Sequence, residues 1–260
     1  MDHFWETAVL SALQGITEFL PVSSSGHLAL GKHLLGLKAP GADLEVALHL
    51  GTLFSVLVYY RKIVAWLTCG LLRRDAEAWK YAAAICVSAI PAIAVYLIAG
   101  KLLESLFENS KAVGACLLFT GAVLFLTRFI KQGQKKISMP RALAMGCAQA
   151  VALLPGVSRS GATLAASRAM GMAADESARF SFLMCAPLIA GASAMKCVSW
   201  FKAAPEAGTL SGPALAAGMA IAAIVGYAAL AFLLRVYKGS CFWMFGLYCA
   251  AAGTAALLFL

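Results

Sequence analysis

Apolar residues in this chain come in long blocks rather than narrow stripes, and few polar residues separate them. A bilayer-spanning helix needs about 20 apolar residues, with a range near 17–25. Six blocks read as such spans: 45–60, 81–100, 112–130, 178–197, 210–234 and 239–260. Pro91, inside the second, predicts a kink. Two other stretches are apolar but too short. Residues 7–17 run into Glu18, Pro21 and Ser23-Ser24-Ser25-Gly26, and a second short run follows at 28–35. Residues 142–154 run into Pro155-Gly156, and another short run follows at 163–170. Each reads as a helix ending in a broken turn inside the membrane, then a second short helix. Irregular backbone at that depth survives only where protein buries it or a wet cavity meets it. Residues 5–36 are therefore expected to form a re-entrant hairpin, and the later stretch to repeat it.

The two interrupted stretches are copies. Gln14 falls on Gln149, Val22 on Val157, Ser23 on Ser158, Ser25 on Ser160 and Gly26 on Gly161, at a constant offset of 135 without gaps. The chemistry differs at two positions: Glu18 falls on Leu153, and Ser24 on Arg159. Each half is thus one re-entrant pair plus three spans, and an odd number of spans inverts the second half. The expected fold is an all-α polytopic membrane protein with an inverted-topology repeat. It forms a single membrane domain over residues 1–260, with repeat one at about 1–130 and repeat two at about 136–260.

Composition agrees. The chain is 62% hydrophobic and 13% charged, whereas soluble domains carry roughly a quarter charged residues. No polar stretch is long enough for a soluble domain, and the N-terminus shows no removable signal peptide. The net charge of +9 would suggest nucleic acid in a soluble protein. Here it reads as basic cytoplasmic loops, with no nucleic acid. Loops 61–80 and 128–141, with Arg168, Arg179, Arg235 and Lys238, hold fourteen lysines and arginines on one side; the other side holds six. That split puts loops 61–80 and 131–141 in the cytoplasm, residues 37–44 and 101–111 outside, and both termini outside. The eight cysteines read as small buried hydrophobes rather than disulfides or metal ligands.

Charged groups in a bilayer are costly, so Glu18, His27 and Arg159 are functional candidates. The two Ser-rich turns open helices whose N-termini favour anions. Brought together, Ser23, Ser25, Gly26, Ser158, Ser160, Gly161 and Thr163 would surround one guanidinium with donors, a geometry suited to phosphate. The copies then divide the labour. Arg159 holds charge, His27 or Ser24 attacks or activates water, and Glu18 orients the base or a metal. Helix-gluing polar residues are the bland alternative, and it fits Ser11, Ser55, Ser88 and Ser193. His49, in an apolar run near Asp43 and Glu45, reads as a packed polar residue rather than a ligand.

The motifs Thr17-Glu18-Phe19-Leu20-Pro21-Val22-Ser23-Ser24-Ser25-Gly26-His27-Leu28 and Pro155-Gly156-Val157-Ser158-Arg159-Ser160-Gly161-Ala162-Thr163 resemble the signatures of the undecaprenyl-diphosphatase, or bacitracin-resistance, family. The resemblance covers essentially the whole chain. It implies a bacterial inner-membrane enzyme that removes one phosphate from undecaprenyl diphosphate, a polyprenyl diphosphate lipid, at a site opening to the periplasmic side. It also implies dependence on a divalent cation, Mg2+ or Ca2+, with Glu18 as the residue here that would hold it. The functional positions it carries over are Glu18, Ser23, Ser24, His27 and Arg159, with the nucleophile open between Ser24, His27 and water. One position departs from the family pattern. Some members have glutamate where this chain has Gln14, so a two-carboxylate site one turn apart is not available, and Gln14 is kept as a pocket residue. The alternative reading is a lipid-phosphate transporter or flippase using the same pocket. Membrane lipids are the other expected partners, and a homodimer is left open.

Overall fold

A computed structural model describes residues 4–34, 42–107, 109–202 and 212–259. Among these residues the fold is all-α, with one isolated bridge between Lys135 and Met172. The first interrupted stretch forms α1 (Phe4–Phe19) and α2 (Ser24–Leu34). Next come α3 (Ala42–Tyr59), α4 (Arg61–Leu72), α5 (Ala76–Phe107) and α6 (Ser110–Leu126). The second interrupted stretch forms α7 (Met139–Val151) and α8 (Arg159–Ala169). The chain continues through α9 (Ala174–Leu183), α10 (Ala186–Lys202), α11 (Gly212–Lys238) and α12 (Met244–Phe259). Residues 35–41, most of the expected outside loop at 37–44, lie outside the described residues.

Among the described residues, four helical stretches are long and apolar enough to cross a membrane: Ala76–Phe107, Ser110–Phe129, Ala174–Ala194 and Gly212–Lys238. A bent pair, Leu44–Tyr59 with Arg61–Leu72, brings the number to five if counted as one span, and Met244–Phe259 is a shorter apolar helix. The chain is therefore a multi-pass membrane protein. Its outer surface agrees, since Leu97, Ile98 and Leu102 on α5 and Ile224 and Phe232 on α11 all point outward. A water-facing surface would not carry so continuous an apolar coat.

Two stretches add detail to the sequence expectation. Residues 61–72 form a helix, not a loop, and α4 turns 81° from α3. Its polar ends, Arg61-Lys62 and Arg73-Arg74, flank an apolar middle that includes the part-exposed Trp66. Such a helix suits the interface rather than the bilayer interior. The span expected at 178–197 is present as Ala174–Ala194, with a turn at Met184–Cys185 between α9 and α10. Pro187 explains the turn. It has no N–H to bond the carbonyl four residues back, and it stands in the first turn of α10, where that loss is tolerated best. By contrast, α5 continues through Pro91. Lipid-embedded packing also explains the cysteines. Contrary to the expectation of buried cysteines, only Cys185 and Cys249 of those described are buried; Cys69, Cys86 and Cys147 on helices and Cys241 in a loop are exposed, and these six and Cys116 are free.

Packing crosses between the halves. α1 lies on α11, and α7 lies on α5. α6 and α12 pack most extensively of all, through glycines. A Cβ on Gly246 would stand 2.6 Å from the Gly121 carbonyl oxygen, and one on Gly253 would stand 2.8 Å from that of Gly114. Lower on one helix meets higher on the other, so α6 and α12 run antiparallel. Without a hydrophobic drive between helices in lipid, such close backbone approach is what holds them. The largest buried cluster centres on Phe180 and Phe182 of α9, with Phe19, Leu164, Tyr237 and Phe242 around them. Phe19 meets Phe182 edge-on at 5.6 Å. This fixes the end of α1 against α9, where the two broken turns meet.

Candidate functional site

Each broken turn hands the chain to a helix through the same cap. Ser158 Oγ accepts from Gly161 N–H at 3.1 Å, and Ser23 Oγ accepts from Gly26 N–H at 3.4 Å. The cap hydroxyls also reach the next serine, Ser160 at 3.2 Å and Ser25 at 3.3 Å. The backbone differs between the copies. Ser23 has φ 70°, in the left-handed region, whereas Ser158 has φ −75°. In the second copy the left-handed residue is Gly156, φ 97°.

The turns face one another. Ser160 Oγ donates to the Leu20 carbonyl at 3.2 Å, and a Cβ on Gly26 would meet Gly156 Cα at 3.4 Å. Thr120 on α6 clamps the second turn, donating to Gly156 O at 3.0 Å and accepting from Ser158 N–H at 3.1 Å. Cys249 on α12 donates to Pro21 O at 3.4 Å and holds the first. Neither turn leaves its backbone to lipid, which is the condition for irregular backbone at membrane depth.

At this junction Arg159 Nη2 donates to Glu18 Oε1. The other carboxylate oxygen, Oε2, accepts from Ser24 Oγ at 2.7 Å and from Gln14 Nε2 at 3.0 Å. The Glu18 side chain is 5% exposed and that of Arg159 18%. The Cys185 thiol, at the α9–α10 break, lies beside the guanidinium. Four of the residues singled out by sequence, Gln14, Glu18, Ser24 and Arg159, are thus in direct contact.

Several buried polar atoms of the two motif copies have no protein partner: Gln14 Oε1, Arg159 Nη1 and both amide atoms of Gln149. Leaving such an atom buried and unpaired costs about 1–3 kcal/mol. In the first copy Gln14 finds Glu18 one turn on. In the second the equivalent position is Leu153, so Gln149 has no such neighbour. A polar ligand could satisfy such free donors and acceptors.

The other expected residues sit differently. His27 Nδ1 donates to Ser23 O at 2.9 Å, so its Nε2 accepts from the Tyr248 hydroxyl at 2.7 Å, and the rings stack. This turns His27 toward α12. Thr163 Oγ1 donates to Arg159 O at 2.8 Å and meets Ser181 Oγ at 2.6 Å, joining α8 to α9.

His49, which reads from sequence as a packed polar residue rather than a ligand, stands at the edge of this junction. On α3, beside α1, its Nδ1 meets Glu45 O at 2.7 Å and its Nε2 stands 3.8 Å from Glu18 Oε2. The available signal was an ionisable side chain in an unbroken apolar run. Tyr248 and Cys185 carried none.

The donor set does not fit a preformed divalent-cation site. Both Glu18 oxygens are engaged by Arg159, Ser24 and Gln14, and the described residues hold no group of three or more His, Cys, Asp or Glu suited to a metal ion.

The family model described as bacitracin resistance protein BacA matches residues 7–255. The chain is 40% identical over 264 residues to an undecaprenyl-diphosphatase of Christiangramia forsetii, covering 100% of this chain and 98% of that one. It is 39% identical over 266 residues to one of Desulfosudis oleivorans, covering 96% of each. A third, of Desulforapulum autotrophicum, is 37% identical over 274 residues, covering 98% of each.

Proposed function

The chain belongs to the bacitracin resistance protein BacA family, and on that premise we propose that it hydrolyses undecaprenyl diphosphate to undecaprenyl phosphate and inorganic phosphate, recycling a lipid carrier of cell-wall synthesis. The observation that carries this reading is Glu18. It binds Arg159 through one oxygen and the Ser24 hydroxyl through the other. A clamp for anions and a hydroxyl with its proton acceptor are thereby assembled at one buried junction. A carrier would need the clamp and not the second pair.

Arg159 Nη1, buried and unpartnered, is the donor offered to a phosphate oxygen. A planar fork matches that geometry and stabilises charge developing on the transferred phosphoryl group. The attacking oxygen, water or Ser24 Oγ, forms the new P–O bond while the bridging P–O bond breaks and undecaprenyl phosphate leaves; where Ser24 attacks, a water then cleaves the phosphoserine, releasing inorganic phosphate and restoring the hydroxyl. The proton of the attacking oxygen passes to Glu18 Oε2, which Ser24 already contacts. His27 can take a proton only after its Nε2 releases Tyr248. Gln14, Ser23, Ser25 and Gly26 shape the pocket on one side, and Ser158, Ser160 and Gly161 on the other. A divalent cation, Mg2+ or Ca2+, enters this reading with the diphosphate, whose oxygens would supply most of its ligands and whose charge it would offset.

The same reading places the protein in a bacterial inner membrane as an inverted repeat with two re-entrant hairpins, its site opening to the periplasmic side. Support comes from the antiparallel run of α6 and α12, which stand at equivalent places in the two halves, and from the docking of α1 and α7 on the long helix of the opposite half. Single-cysteine labelling at position 75 in a cysteine-free background tests the orientation. Labelling from outside intact cells would reverse it.

The activity is tested by phosphate release from a C55 lipid diphosphate by purified protein in detergent, with and without chelator. Release that requires the cation is expected. A protein that binds the lipid but never releases phosphate, with Mg2+ or Ca2+ present, would overturn the reading in favour of a carrier.

A further inference from the structure

Two histidines in this protein are held in the same way. His27 and His49 each point Nδ1 at the carbonyl four residues earlier on its own helix, Ser23 O at 2.9 Å and Glu45 O at 2.7 Å. A carbonyl oxygen only accepts, so Nδ1 carries a hydrogen in both, and each ring is fixed with Nε2 directed outward from its helix. The destinations differ. Nε2 of His27 accepts from Tyr248, a local and self-sufficient contact. Nε2 of His49 faces Glu18 Oε2 at 3.8 Å, across from another helix.

That separation is longer than a hydrogen bond yet within ion-pair reach. The atoms around the Glu18 carboxylate define a frame. Arg159 binds Oε1, while Gln14, Ser24 and His49 approach Oε2. Gln14 lies on α1 with Glu18, and Ser24 follows on α2, so neither ties the carboxylate to a different part of the fold. His49 does, from α3, which is packed on both α1 and α11. It is also more open than its neighbours, 36% exposed against 5% for Glu18. It approaches Oε2, while Arg159 holds Oε1.

We propose that His49 is a positioning residue for Glu18. With the Nδ1 hydrogen given to the Glu45 carbonyl, Nε2 is a donor in the imidazolium form, and in that form it holds Oε2 toward Ser24 when Arg159 turns from the carboxylate to a phosphate oxygen. The ion pair that binds Glu18 in the resting site is the group that substrate must recruit. Without a second tether, Glu18 would lose its alignment at the step that needs it. His49 acts through Glu18 rather than on the lipid. This rests on the phosphatase reading above, and a misplacement of about 1 Å in such a group costs on the order of 100-fold in rate.

The test compares wild type, His49→Gln and His49→Leu. Glutamine can still present an Nε2 donor near the same place, whereas leucine keeps bulk and loses the donor. The expected result is a fall in kcat of about 10–100-fold for His49→Leu, with KM within about threefold and glutamine restoring most of the turnover. A purely space-filling role would spare leucine and would not be rescued by glutamine. Thermal unfolding of the same variants, alone and in a Glu18→Gln background, gives a second readout that needs no turnover. His49→Leu should lower the midpoint in wild type and much less in the Glu18→Gln background. Equal kcat for leucine and wild type, equal loss for leucine and glutamine, or additive effects on unfolding would each overturn the proposal. If wild type releases no phosphate, the phosphatase reading fails, and the unfolding cycle still decides whether His49 and Glu18 are coupled.

Discussion

Glu18 and Arg159 lie 141 positions apart and form a part-buried ion pair that joins the two copies of one motif. The copies differ in chemistry at Glu18/Leu153 and Ser24/Arg159, and the pair takes one member from each difference. Divergence of the repeat is therefore what made the contact.

Removing one member of this pair should destabilise more than removing both. Glu18→Gln leaves a guanidinium with no counter-charge, and breaking such a buried pair costs about 3–5 kcal/mol. The double variant Glu18→Gln/Arg159→Gln should recover much of that, yet stay inactive. Arg159→Lys should also be severely impaired, since a point charge does not replace a fork. Gln14→Ala removes one hydrogen bond to Glu18 and should cost far less. Unfolding midpoints in detergent, with phosphate release measured beside them, check all four. Equal destabilisation in single and double variants would show that the charges are not coupled.

Gln149→Leu should leave the protein as stable as wild type or more so, by about 1–3 kcal/mol, because both buried amide atoms lack a partner. If that amide serves the diphosphate, substrate affinity should fall in the same variant. Isothermal binding of a lipid diphosphate and a melting curve are the measurements. Lower stability with unchanged affinity would mean the amide is structural.

Ser23 carries left-handed backbone at φ 70°, which costs a non-glycine residue roughly 1–2 kcal/mol. Ser23→Gly should therefore be tolerated better than Ser23→Ala. Both lose the hydroxyl that caps Gly26, but only glycine relieves the strain. Thermal unfolding of the two variants compares them directly, and a more stable alanine variant would contradict the strained conformation.

Gly246→Val should disrupt the α6–α12 contact, where even a Cβ would press to 2.6 Å on a backbone oxygen. Overpacking of this kind costs about 1–3 kcal/mol or more. Gly191→Ala on α10, with nothing within 4 Å of the added Cβ, should change stability by about 0.5 kcal/mol or less. Melting temperatures and monodispersity in detergent separate the two cases.

Much of the fold could be read from the chain because bilayer thickness imposes length. Apolar blocks of sufficient length and the two interrupted motifs appear where expected. The details it left out have local causes. α4 is twelve residues, too short to span, and its basic ends resemble a loop. The α9–α10 break depends on Pro187, whose effect inside an apolar block is a bend or a stop according to neighbouring packing. In the site, Gln14, Glu18, Ser24 and Arg159 were marked by the duplicated motif. His49 carried no motif, and only the placement of α3 beside α1 reveals what its Nε2 faces.

The sequence by itself determined that this is a multi-pass membrane protein with two interrupted, duplicated turns. Burying charge and irregular backbone in lipid is so costly that such a pattern has few solutions. Tertiary structure alone decided which polar groups meet. Arg159 reaches Glu18 because the turns of opposite halves dock face to face. His27 turns away because Tyr248 satisfies it, and Thr163 because Ser181 does. Those pairings depend on helix placement at ångström scale, set by glycine contacts and aromatic packing far along the chain, and no local pattern of residues encodes them.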